Sequence, residues 1–128
     1  MSRSRHSLTV SPDEFNAWIQ EALAELPTRF ARLAEEVSIV VEEEPSAEIL
    51  QSLDLESEHD LLGLYQGVPI DQTSFFQPAG ELPARIAIYR GPILRLCRTK
   101  AEVIQEVRDT VVHELGHHVG LDDEEMPY

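Results

Sequence analysis

The segment from Thr99 to Asp123 constrains this chain more than any other, because it carries His-Glu-Leu-Gly-His-His-Val-Gly-Leu-Asp-Asp on what reads as one long helix with a tight exit. Residues four apart on a helix project from the same face, one turn apart, so His113 and His117 can bring two imidazoles to one metal ion. Glu114 lies beside His113 and can reach a water on that metal without being a ligand. Gly120 can take a left-handed conformation, end the helix and turn the chain back toward the metal. Asp123 then offers an oxygen ligand. Two nitrogens and one oxygen leave a fourth tetrahedral position open, which is the layout of a catalytic rather than a structural zinc. The plainer reading is a polar helix face with two unrelated histidines.

The surroundings favour the first reading. Thr99 and Glu102 form a T-x-x-E signature for the helix start. Val103, Val107, Val111 and Leu115 make an apolar stripe, with Ile104 beside it, that can pack on a core. Glu106, Thr110, His113 and His117 share a different face, so the metal face and the core face are separate. His118 points about 100° around the helix from His117 and is expected to be a surface or hydrogen-bonded histidine. Asp122, Glu124 and Glu125 are rival oxygen ligands, with Asp123 preferred on register.

Upstream, Ser11-Pro12-Asp13-Glu14 marks a helix start: a serine cap, proline in the first turn and acids beside it. Phe15, Trp18, Ile19, Ala22, Leu23 and Leu26 follow at helical spacing and are expected in the core. Pro27 interrupts, and a second short helix runs from Thr28 to Glu35. Val37 to Glu42 reads as a strand, and residues around Ala47 to Leu53 as a short helix. Leu61 to Gly67 and Ala84 to Arg90 read as two further strands, separated by a proline-rich loop from Val68 to Pro83. Gly91-Pro92 breaks the last strand, and Ile93 to Cys97 is another short apolar run.

Composition sets the outer limits. A chain of 128 residues, 42% hydrophobic and 27% charged, suits one soluble domain with a modest core. The expected division is a disordered basic tail at 1–7 and a single domain at 8–128. A net charge of -14 argues against a nucleic-acid partner, since phosphates would repel it. No Lys or Arg occurs between Arg32 and Arg85, so the acidic middle and the basic segment after it are expected to attract one another. The lone Cys97 excludes an intrachain disulfide and a zinc–thiolate cluster, and reads as a buried small hydrophobe. With no apolar span and no secretory leader, a cytoplasmic protein without a membrane partner is expected.

The motif resembles the extended zinc signature of the metzincin metallopeptidases, H-E-x-x-H-x-x-G-x-x-H/D. Asp123 stands where most members have a third histidine, as in the snapalysin-type proteases. From about residue 10 to 125, including Leu-Gly-Leu-Tyr-Gln-Gly at 62–67 and Arg90-Gly91-Pro92-Ile93, the chain is similar to the short bacterial zincin-like metallopeptidase family. That resemblance implies an α+β fold: a small mixed sheet of three to four strands packed on an N-terminal helix and a C-terminal metal-binding helix. It implies His113, His117 and Asp123 as ligands of Zn2+, Glu114 as general base, and hydrolysis of a peptide or protein substrate. The substrate would pair with an edge strand at Leu62 to Gln66. Metzincins continue past the third ligand into a lower subdomain with a methionine-containing turn, whereas this sequence gives five residues after Asp123. A weakly active or inactive metal-binding or protein-interaction module on a zincin frame is therefore the alternative. Tyr65, Tyr89 and Tyr128 are candidate oxyanion donors, and Glu124 to Tyr128 is a candidate plug over the metal.

Overall fold

The serine cap forms as its sequence requires. Ser11 Oγ accepts from the Glu14 amide at 3.1 Å while the Glu14 carboxylate accepts from the Ser11 amide at 3.2 Å, a reciprocal capping box. A computed structural model describes residues 8–53, 61–67 and 84–119. Helix α1 (Pro12–Ala24) and helix α2 (Thr28–Ala34) flank Pro27, as expected. Strand β1 (Ser38–Glu42) and helix α3 (Ala47–Ser52) follow. Strand β2 (Gly63–Gln66), strand β3 (Arg85–Tyr89), helix α4 (Arg90–Leu96) and helix α5 (Lys100–His118) complete the described elements. The expected tail at 1–7 and loop at 68–83 lie outside the described residues. Among the described residues no helix is long and apolar enough to cross a membrane.

The sheet is mixed, in the order β1-β3-β2, with β1 parallel and β2 antiparallel to the central β3. Its register builds two rows on one face: Ile39, Ile86 and Tyr65, and next to them Val41, Ile88 and Gly63. Those rows pack with Phe15, Ile19 and Ala22 of α1 and with Val103, Val107, Val111 and Leu115 of α5 in one core. The apolar stripe read from α5 is thus its buried side. Cys97, 3% exposed, packs in the same core. Burial pushes its thiol up to about 11, with Glu106 and Glu102 adding to the rise, so it stays protonated and inert.

The short apolar run Ile93 to Cys97 is helical for most of its length. That helix is α4, which begins directly from β3 without a loop. Pro92 falls in the first turn, where its missing N–H is not needed, so it starts a helix here instead of only ending a strand. The Gly91 amide donates to Glu43 O at 2.9 Å, tying that corner to the end of β1. The expected attraction between the acidic and basic segments is local. Glu42 pairs with Arg85, Glu43 with Arg90 and Glu44 with Arg95, each within 2.9 Å. Such partly exposed pairs orient the segments more than they stabilise them.

Candidate metal centre

Helix α5 carries the centre and β2 faces it. The Thr99 hydroxyl accepts from the Glu102 amide at 3.1 Å, as the T-x-x-E reading requires. The return arm differs: the Glu102 carboxylate accepts from the Arg98 amide, one residue before the cap. Glycine at position 63 sets how closely β2 approaches the helix. A Cβ there would lie 2.5 Å from Thr110 Cγ2 and 3.1 Å from Ala87 O, so only a residue without a side chain fits between β3 and α5.

Thr110, Glu114 and His118 recur every fourth residue and form the row of α5 under β2. Thr110 meets Gly63. Glu114 Oε1 accepts from the Tyr65 backbone amide at 2.8 Å. His118 Nδ1 lies 3.0 Å from the Tyr65 hydroxyl, and its Nε2 lies 3.0 Å from Glu36 Oε1. Glu36 can only accept, so Nε2 carries hydrogen, and in the neutral ring Nδ1 accepts from Tyr65. Burial pushes the Tyr65 phenol above its ordinary value, which keeps it a donor.

His113 and His117 lie beside this row, their ring centroids 5.0 Å apart and their planes nearly perpendicular. One nitrogen from each ring and one oxygen of Glu114 all lie within 4.8 Å of one another. This is a donor set of the right type and compactness for a metal ion: borderline-soft imidazoles with a carboxylate. Gly120 and Asp123, with the rivals Asp122, Glu124 and Glu125 and the proposed plug, lie outside the described residues. So do Tyr128, His6 and His59. Of the tyrosines within them, Tyr65 has its hydroxyl engaged with His118, and Tyr89 is 0% exposed.

The chain matches the model of the zincin-like metallopeptidase family over residues 34–128. It belongs to that family. No curated protein matches this zincin-like chain. A solved structure of a conserved hypothetical protein from Thermo thermophilus is similar, with a TM-score of 0.53 at 24% identity, covering 85% of this chain and 94% of that one. That likeness is one of fold. Together with the three-stranded sheet and the C-terminal helix, it agrees with the α+β zincin-like architecture expected from the sequence. Membership implies a metal, and His113, Glu114 and His117 form a cluster able to hold one.

Two further features belong to this zincin-like centre. Among the described residues strand β2 lies at the edge of the sheet, the place the resemblance implied. Leu62 O accepts from the Tyr89 amide, so by strand alternation Gly63 and Tyr65 turn their backbone groups away from β3, toward the open edge. A cleft of about 340 Å³ runs along that edge, walled by Leu61, Leu62 and Gly63 on one side and by Glu106, Asp109, Thr110, His113 and Glu114 on the other. Sequence reading did not assign Tyr65 N–H or Glu36 to the centre, and it left His118 between surface and hydrogen-bonded. The structure makes His118 buried, at 5% exposure, and bonded on both ring nitrogens. The one signal available was the four-residue step from Glu114 to His118.

Proposed function

We propose that this chain is a zinc-dependent metallopeptidase, with His113, His117 and Asp123 holding zinc and Glu114 as the general base. The carrying observation is the meeting of two imidazoles and the Glu114 carboxylate beside an open strand edge and a cleft. Zinc, when bound, supplies Lewis acidity toward a carbonyl and toward water. Glu114 takes a proton from the attacking water and returns it to the departing amide nitrogen as the C–N bond breaks. His113 and His117 present their ring nitrogens one helical turn apart from α5, which is anchored in the core. The outward backbone groups of Gly63 and the carbonyl of Tyr65 hold an extended peptide along β2, by the hydrogen bonding that pairs strands, while the Tyr65 amide stays with Glu114. The substrate class is therefore an extended peptide or an unfolded protein segment.

The test is Glu114→Gln, which keeps the shape of the side chain and removes its basicity. Zinc content by elemental analysis should equal wild type, and turnover of casein should fall at least about a hundredfold, the scale of general-base loss. Equal turnover would overturn the role of Glu114. Wild-type protein that retains zinc and cleaves neither casein nor a peptide library would favour the non-catalytic module. Zinc content of Asp123→Ala against Asp122→Ala decides the third ligand.

A further inference from the structure

Glu114 sits on a rigid helix, but its carboxylate swings on three side-chain torsions, so a contact from a second element can fix where it points. The Tyr65 amide does so, at 2.8 Å, with a charge-assisted hydrogen bond. Strand β2, which carries that amide, is only four residues long and, among the described residues, is paired with a strand on one side alone. A further tie to the helix is the Tyr65 hydroxyl, which reaches His118. The two ties land on α5 residues four apart, about 6 Å along the axis, a span one tyrosine can bridge from backbone to hydroxyl. His118 cannot swing either, because Glu36 holds its far nitrogen and the ring is 5% exposed.

We propose that Tyr65 and His118 are positioning residues for Glu114: the chain Glu36–His118–Tyr65 pins the edge strand over α5, and the pinned backbone amide aims the carboxylate. The alternative is a histidine that is merely satisfied within the core. What separates the two is that the partner of His118 is the residue whose backbone holds the base. The inference rests on the reading of Glu114 as proton carrier, but its geometry can be tested with no substrate at all.

Tyr65→Phe removes one oxygen and keeps the ring and the amide. In 15N-resolved hydrogen exchange of the zinc-loaded protein, the residue 65 amide should exchange at least about tenfold faster. Its proton resonance should move toward the position it takes in Glu114→Ala. The Leu64 amide, bonded to β3, should stay protected. His118→Leu, which breaks the same tie from the helix side, should reproduce the change at residue 65. Unaltered exchange at residue 65 in both variants would overturn the proposal, as would equal loss at residues 64 and 65, which means that the strand has only loosened. If wild type cleaves casein, Tyr65→Phe should lower kcat about tenfold with KM unchanged, and the reverse split would also overturn it. A wild type with no turnover sinks the peptidase reading alone, because the residue 65 amide still decides this one.

Discussion

Glu106 shows how a single side chain in the cleft wall carries a pH signature. Burial, and then the neighbouring Asp109, push its carboxyl above the ordinary range. An acid whose folded value is raised binds its proton more tightly when folded. The stability it contributes is therefore complete below the ordinary glutamate value and is lost as pH rises through the raised one. Glu106→Gln removes this dependence. Urea denaturation should find the variant more stable than wild type at pH 7, with the difference closing toward pH 4. An unchanged or widening difference would rule the account out. At this scale the sequence spoke unevenly. Cys97 was legible as a small hydrophobe because its neighbours in the chain are apolar. His118 was not, because its partners Tyr65 and Glu36 lie 53 and 82 positions away.

The elements were more readable than their contacts. Helices α1 and α5 announced themselves through caps and a stripe of apolar residues, and β1, β2 and β3 through short apolar runs. Helix α4 did not, since glycine followed by proline punctuates a strand and opens a helix with equal ease. Nor could the sequence reveal how near β2 comes to α5. That approach yields a sharp expectation. Gly63→Ala forces a methyl into Thr110 Cγ2 and should cost about 1–3 kcal/mol, the usual range for overpacking. Thr110→Ser deletes the opposing methyl and should restore part of the loss in the double variant, as read by thermal denaturation. Full additivity of the two changes would show that the methyl–methyl contact is not the cause. The Ala87 carbonyl, 3.1 Å from the added carbon, should keep the rescue incomplete.

For the molecule as a whole, metal and fold are expected to be linked. The ring nitrogens of His113 and His117 that could hold a metal converge only on the formed helix, so zinc should bind the native state and stabilise it. At a free zinc concentration a hundred times the dissociation constant, the gain should be about 2.7 kcal/mol. Calorimetric scans with zinc and then with excess chelator should show the melting temperature rise and fall back. His117→Ala should abolish the response, while Glu114→Gln should preserve it. A wild type indifferent to zinc would leave a metal-free scaffold. The sequence disclosed this centre as a local spacing on one helix, and could not disclose the strand and the distant glutamate that surround it.

Those surroundings come from far along the chain. Ser38 pairs with Arg85, Tyr65 reaches Glu114 across 49 residues, and His118 reaches Glu36 across 82. Contacts of such separation form late, since long stretches must be gathered before any of them stabilises the rest. Pulse-labelled exchange during refolding should find the Tyr65 amide among the last to gain protection. A nascent polypeptide would then hold its histidines on a helix with nothing opposite them, and whatever chemistry the finished centre performs would be withheld from its neighbours on the ribosome.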